Sequence, residues 1–259
     1  MFTLTLGIIA TCSLAALVAG FIDSIAGGGG LITVPALLLS GVPPHFALGT
    51  NKVQSSIGTG VAVCMFAHGH LVLWRLALTG LPFSLAGSWI GSVLALHLDE
   101  AVLGKVLVLL LPMAMCLTLL PKKERQEKTL PLQGRAFWIL MPAVCLSIGC
   151  YDGFFGPGTG SFLILALHWI LRCGLVQASA SAKVLNLTSN VGAMLVFLWS
   201  GQVLWPLALP MVAASVLGNW LGSRTAMRVG PRAVRLFLTI SLGLLMLTLI
   251  WRYFVAPHL

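Results

Sequence analysis

Four ionisable residues lie within the apolar sequence of this 259-residue chain. Asp23 and Asp152 are its acids in such surroundings, and Lys52 and Lys183 are its bases. Burying such groups at membrane depth is unfavourable unless they are paired or hydrated, so they usually mark a binding site or a transport pathway. The lysines could hold an anion or extend to a membrane interface as anchors. The aspartates could pair with the lysines, cap helix ends or take up a coupling proton.

Glycine runs accompany both aspartates. The sequence "DSIAGGGG" begins at Asp23, and "DGFFGPGTG" begins at Asp152. Glycine lets backbone amides approach a ligand closely, and free amides at the start of a helix favour anions. The runs therefore predict backbone donors for an anion, although close helix packing would also use glycine. The candidate residues are Gly27, Gly28, Gly29, Gly30, Gly156, Gly158 and Gly160.

Polar residues follow each lysine at helical spacing. Positions 52, 55, 56 and 59 share one helix face, as do 183, 186 and 190. We expect each lysine to begin its helix, where its charge opposes the positive end of the helix dipole and a bound anion would relieve the conflict. Hydroxyl and amide groups beside a cation suit a tetrahedral oxyanion. The predicted side-chain ligands are Lys52, Ser55, Thr59, Lys183, Asn186 and Asn190.

Composition indicates a polytopic membrane protein. The chain is 58% hydrophobic and 8% charged, with a mean hydropathy of +1.01, which is too apolar for a water-exposed surface. We predict an all-α fold with about ten transmembrane or re-entrant helices, broken in places by glycine. The segments at 31–48 and 159–172 are short, and each could either cross the membrane or turn back. The full set of apolar segments is 2–22, 31–48, 51–68, 71–97, 101–120, 136–151, 159–172, 180–199, 203–227 and 233–255.

A basic linker, "PKKERQEKTLPLQGR" at 121–135, separates two membrane repeats at 1–120 and 136–259. Short loops rich in lysine and arginine stay in the cytoplasm, so the linker should be cytoplasmic and both termini external. We expect a multi-pass protein of the cell inner membrane. The net charge of +9 is then mostly a topology signal, and no nucleic-acid partner is expected.

The two halves are related by sequence. An offset of 131 aligns Lys52 with Lys183 and the motif Gly-x-Trp-x-Gly at 87–91 with its copy at 218–222, while an offset of 129 aligns Asp23 with Asp152. The fourth segment runs from a basic to an acidic end and its copy ends among arginines, which predicts inverted repeats. Inverted repeats require an odd number of membrane crossings in each half. Five crossings per half, or three crossings plus a re-entrant hairpin, would satisfy this requirement. We interpret the Gly-x-Trp-x-Gly copies as packing elements.

Inverted repeats with broken helices are typical of secondary transporters, whose substrate binds near the midplane. The residues therefore predict a transporter that moves a small anion by alternating access. A passive anion channel, or a non-transporting membrane assembly or accessory protein, would also account for them. The chain has no phosphate-binding loop or catalytic motif, so neither an enzyme nor a cofactor or bound metal is expected. The six cysteines are interpreted as small apolar residues without disulfides.

Two longer stretches resemble the half signatures of the TauE/SafE sulfite exporter family. They are "GFIDSIAGGGGLITVPALLLSGVPPHFALGTNKVQSS", and "GCYDGFFGPGTGSFLILAL" with the later "SAKVLNLTSN". The resemblance implies a bacterial or archaeal inner-membrane transporter of sulfite, thiosulfate or organosulfonates. We further expect the lipid bilayer and a coupling proton or cation as partners. The resemblance adds Thr50 and Asn51 to the candidate residues. Ser55 stands where the second half has Asn186, so a strictly symmetric site is not expected.

Overall fold

The computed structural model describes residues 4–119 and 134–229, which are entirely helical apart from short connections. The predicted all-α class is confirmed for these residues. Residues 121–133 of the predicted linker at 121–135, and the last apolar segment, 233–255, lie outside the described residues. The helices are α1 (Leu6–Ala26), α2 (Gly30–Leu39), α3 (Pro44–His68), α4 (Trp74–Leu96), α5 (Glu100–Leu119), α6 (Arg135–Phe154), α7 (Thr159–Trp169), α8 (Leu175–Trp199) and α9 (Trp205–Val229).

The described helices have an apolar exterior and a partly polar interior. Leu6, Leu109 and Trp199 are 82%, 76% and 91% exposed, whereas Lys52 and Lys183 are each 1% exposed. This distribution suits a lipid solvent, in which apolar side chains face outward and polar groups pair inside. Within the described residues, the stretches long and apolar enough to cross a bilayer are Leu6–Ala26, Trp74–Leu96, Arg135–Phe154 and Val176–Trp199. The described part of the chain therefore has the architecture of a polytopic membrane protein.

Helix α2 folds back along α1. A Cβ placed on Gly29 would lie 3.0 Å from the carbonyl oxygen of Ala19, near the end of α1. At the other end of α2, the hydroxyl of Ser40 lies 3.5 Å from the sulfur of Cys12, near the start of α1. The ten residues of α2 reach about 15 Å, half of a hydrocarbon core. The predicted segment 31–48 is thus wrong as one element, because the chain turns at Gly41 (φ 84°) and 44–48 belong to α3.

Glycines let helices from different halves approach closely. A Cβ on Gly91 of α4 would lie 2.0 Å from the carbonyl oxygen of Cys150 in α6. The sequence equivalent of Gly91, Gly222 of α9, approaches the carbonyl oxygen of Phe21 in α1 in the same way, at 2.3 Å. Trp89, between the glycines of the first copy, remains 47% exposed. These contacts agree with the interpretation of the Gly-x-Trp-x-Gly copies as packing elements.

Substituting Gly91 with alanine is expected to lower the apparent melting temperature of the purified protein. The new methyl group would force α4 away from the α6 backbone, and overpacking of this kind costs about 1–3 kcal/mol. Gly104→Ala is the matched control, because its Cβ would meet only the side chain of Pro44 at 3.5 Å. Equal melting temperatures for the two variants in detergent would show that this glycine contact is dispensable.

Helices α3 and α8 correspond to each other in the sequence repeat. Each of them makes the same kind of contact with the segment that follows the other helix. The hydroxyl of Thr50 in α3 accepts a hydrogen bond from the amide of Leu204, just before α9, at 3.1 Å. The hydroxyl of Ser181 in α8 accepts one from the amide of Leu73, just before α4, at 3.0 Å. The beginning of each helix therefore lies beside the end of the other, and the two run antiparallel through the centre of the fold.

Candidate functional site

Two ion pairs connect the halves. The Nζ atom of Lys52 lies 2.9 Å from Oδ1 of Asp152, and Nζ of Lys183 lies 2.8 Å from Oδ2 of Asp23. Each pair joins the base of one half to the acid of the other. The lysines are 1% exposed, so the alternative that they extend to a membrane interface as anchors is wrong.

The lysines lie inside their helices. Lys52 is in the third turn of α3, which starts at Pro44, and Lys183 is in the third turn of α8, which starts at Leu175. The prediction that each lysine begins a helix is therefore wrong. Proline at the first helical position extends α3 upstream of the polar residues that follow. The field of the helix dipole acts mainly on the terminal turn, so it has little effect on a lysine in the third turn. The charge of each lysine is balanced instead by the aspartate with which it pairs.

A small polar cavity lies where the two helix breaks meet the middles of α3 and α8. Its lining consists of glycines and polar or charged residues, with no apolar side chain among the described residues that form it. The structure brings together every predicted site residue here except Gly27, Thr50 and Lys183. The lining residues are Asp23, Gly28, Gly29, Gly30, Asn51, Lys52, Ser55, Thr59, Asp152, Gly156, Gly158, Thr159, Gly160, Asn186 and Asn190.

The two glycine runs contact each other through their backbones. The amide of Ser161 donates to the carbonyl of Gly27 at 2.8 Å. A Cβ on Gly27 would lie 2.5 Å from the carbonyl carbon of Gly160, and Gly27 has a φ of 72°. Gly27 thus serves close packing between the two breaks, whereas its neighbours Gly28 to Gly30 line the cavity.

The first turns of two short helices converge on the cavity. Helix α2 begins at Gly30 and α7 begins at Thr159, and residues of both starts line the cavity. Amides in the first turn of a helix have no intrahelical acceptor, and the N-terminal end of a helix favours anions. Several of these donors are already used: the amide of Gly29 donates to Oδ1 of Asp23 at 3.3 Å, that of Leu31 to the carbonyl of Gly28 at 2.9 Å, and that of Ser161 to the carbonyl of Gly27 at 2.8 Å. The remaining amides in the first turns of α2 and α7 are suitable donors for a bound oxyanion.

Side-chain contacts hold the polar lining in place on α3. Oδ1 of Asn51 accepts a hydrogen bond from the side-chain Nε2 of Gln54 at 3.0 Å. The hydroxyl of Thr59 donates to Oδ2 of Asp23 at 3.4 Å. Ser56, on the predicted polar face, instead donates to the carbonyl of Lys52 at 2.7 Å and is absent from the lining.

Thr159 is a lining residue that the sequence analysis missed. Its hydroxyl donates to the carbonyl of Gly156 at 2.7 Å, which closes the turn before α7. The available signal was its place beside Gly160 in the second glycine run, at the first position of the following helix. A hydroxyl there has the same donor and acceptor capacity as the serine and threonine chosen on α3.

The TauE/SafE sulfite exporter family matches residues 12–249 of the chain. The chain belongs to this family. Among similar proteins, a probable membrane transporter of Haemophilus influenzae is 41% identical over 219 residues, covering 84% of this chain and 85% of the relative. One from a Sinorhizobium species is 40% identical over 242 residues, covering 93% and 91%. One from Escherichia coli is 37% identical over 226 residues, covering 87% and 83%.

No solved structure matches the chain. Membership in the TauE/SafE family and the names of these relatives identify a membrane transporter and not an enzyme. The predicted family and the predicted absence of enzymatic function are thereby confirmed.

Proposed function

We propose that this TauE/SafE family member is a secondary transporter of a small sulfur-containing oxyanion, such as sulfite, thiosulfate or an organosulfonate, in the cell inner membrane. The observation that supports this most is the buried polar cavity, which combines Lys52 with the first turns of α2 and α7. Such a cavity offers a positive charge and backbone donors to an anion at the place where discontinuous helices meet.

The lining residues divide into three kinds of ligand. Lys52 supplies positive charge, and the glycines of the two breaks supply backbone amides. Lys183 is behind the cavity wall and acts on the site through Asp23, which it holds at 2.8 Å. The side-chain donors are Asn51, Ser55, Thr59, Asn186 and Asn190.

Alternating access would follow from inverted repeats, at 1–120 and 136–259, that rock about the cavity. The antiparallel course of α3 and α8, which are equivalent in the sequence repeat, supports the inversion. The fold-back of α2 on α1 supports a re-entrant hairpin followed by three crossings in each half. With this parity, a cytoplasmic linker at 121–135 places both termini outside.

A ligand screen by thermal unfolding tests the anion site. The full chain in detergent would be heated with sulfite, thiosulfate, sulfate, sulfoacetate, taurine and matched carboxylates. A ligand that binds only the folded protein stabilises it by about 2.7 kcal/mol at a hundred times its dissociation constant. We expect at least one sulfur oxyanion to raise the melting temperature more than the matched carboxylates do. No response to any of these anions would favour the accessory-protein alternative.

Counterflow distinguishes the transporter from the passive anion channel. Proteoliposomes loaded with unlabelled anion should transiently accumulate the labelled anion, because a carrier exchanges one for the other. A channel would equilibrate the label without accumulation, so a monotonic approach to equilibrium would contradict alternating access.

A further inference from the structure

We propose that Asp152, and not Asp23, carries a proton that crosses the membrane together with the anion. This inference rests on the proposed transport function and adds the coupling ion and the residue that binds it. It comes from the charge balance of the cavity and from a difference between the two aspartates, which are equivalent in the sequence repeat.

The charges at the cavity already cancel. Each lysine has a carboxylate within 2.9 Å, so the four side chains have no formal net charge when both acids are ionised. An anion entering this site would have to displace a carboxylate from Lys52 and leave an unpaired negative charge in a buried region, which is strongly unfavourable. If one aspartate takes up a proton, the site gains one positive charge, which balances a monovalent anion fully and a dianion such as thiosulfate by half.

The two aspartates differ in how fully their oxygens are bonded. Oδ1 of Asp23 accepts the Gly29 amide, and its Oδ2 accepts both Lys183 and Thr59. Oδ1 of Asp152 faces Lys52, but its Oδ2 is buried and has no hydrogen-bond partner among the described residues. A buried acceptor without a donor is unfavourable. A proton on this Oδ2 would convert it into a hydroxyl group that can donate a hydrogen bond.

Among the described residues that line the cavity, the charged side chains besides Asp152 are Asp23 and Lys52. Lys52 on α3 faces Asp152 directly, and Lys183 on α8 is paired with Asp23. Helix α4 packs on this end of α6 through Ser88 and Ser92, which carry no charge, and α7 contributes Thr159. The neighbouring Tyr151 hydroxyl donates to the carbonyl of Pro157 at 2.7 Å. The ammonium group at 2.9 Å would repel a metal cation, so a proton fits this place better than sodium.

The transport step then balances in protons, and in charge for a monovalent anion such as methanesulfonate. On one side of the membrane, the Asp152 carboxylate takes a proton at Oδ2, its pair with Lys52 weakens, and the ammonium group of Lys52 binds the anion. On the other side, the anion leaves, the Oδ2–H group gives its proton to water, and the ion pair forms again. One proton moves with each anion in the same direction.

The test uses the full chain in proteoliposomes that enclose a pH-sensitive dye, with labelled thiosulfate and methanesulfonate as substrates. Both are anions of strong acids and carry no proton themselves near neutral pH. For the wild-type protein we expect an inward proton gradient to drive accumulation and anion uptake to acidify the lumen. Anion affinity should rise as pH falls, by at most about tenfold per pH unit, which is the limit for one linked proton.

Variants assign the proton to one residue. In Asp152→Asn, proton-driven accumulation should fall at least tenfold, and the remaining anion exchange should no longer depend on pH. Asp152→Glu should restore the pH dependence, whereas Asp23→Asn should keep it even if that variant is less stable. Asp99→Asn, at an exposed position, is the matched control and should behave as the wild type.

Each further outcome bears on a different proposal. Lumen acidification that persists in Asp152→Asn, or that is lost only in Asp23→Asn, would overturn the assignment to Asp152. Wild-type exchange without proton movement, or with accumulation driven by sodium instead, would overturn proton coupling and leave the transporter intact. Wild-type vesicles that exchange neither anion would overturn both proposals.

Discussion

Lys52→Gln is expected to abolish the stabilisation by sulfur oxyanions and to reduce transport by roughly ten- to hundredfold. Glutamine keeps a hydrogen-bond donor near the same place but removes the charge. A hydrogen bond to a charged group contributes about 1.5–3 kcal/mol, which corresponds to this range in affinity. The effect is expected at Lys52 because this lysine lines the cavity. The assays are the melting temperature with and without anion, and initial uptake into proteoliposomes.

A second variant separates the loss of binding from the loss of folding. Removing Lys52 leaves Asp152 buried without its cation, and breaking a buried pair in this way costs about 3–5 kcal/mol unless the acid becomes protonated. The double variant Lys52→Gln with Asp152→Asn removes both charges. It should recover most of the stability of the wild type and still fail to respond to anions. Wild-type uptake by the single Lys52→Gln variant would exclude this lysine from the site.

The variant Lys183→Gln, studied in the same experiment, shows what happens when a lysine with a structural role loses its charge. Lys183 is absent from the cavity lining and holds Asp23 through both the carboxylate and the backbone carbonyl. We therefore expect Lys183→Gln to lower transport mainly through a lower melting temperature. Its anion-dependent stabilisation should persist in the folded fraction, in contrast to Lys52→Gln.

Sequence reasoning located most of the site because the same rare features occur twice. Charged residues and glycine runs inside apolar sequence are unfavourable without a partner, so their recurrence in both halves pointed to one location. Nearly all the residues chosen on that basis line one cavity. The pairing of Lys52 with Asp152 was not predictable, because the sequence pattern is equally consistent with pairing within one half. Only the packing of α3 against the second helix break decides between the two.

Local patterns failed where helix ends depend on distant contacts. Apolar residues on both sides of Gly41 suggested one segment at 31–48, but the chain turns there and packs α2 back on α1. The same error placed Lys52 at a helix start. Proline at position 44 is compatible with either a loop or a first helical turn, and tertiary packing determines which one forms.

Gly27→Ala is expected to have the largest structural effect, because the two helix breaks meet at this residue. Alanine at a φ of 72° costs roughly 1–2 kcal/mol, since the Cβ crowds its own backbone in the left-handed region. The added atom would also lie 2.5 Å from the carbonyl carbon of Gly160, so the breaks would have to separate. The hydrogen bond from the amide of Ser161 to Gly27 would then be lost. We expect little folded protein, and uptake near background from what remains.

Gly60→Ala is the matched control for this substitution. Gly60 is inside α3, and a Cβ there would meet no heavy atom within 4 Å. Alanine is more favourable than glycine in a helix interior by about 1 kcal/mol, so this variant should melt at or slightly above the wild-type temperature. Normal folding and uptake by Gly27→Ala would contradict the contact between the breaks. Normal folding with lost uptake would instead indicate that the contact is needed for movement between conformations, because the stable fold would then tolerate the separation that transport does not.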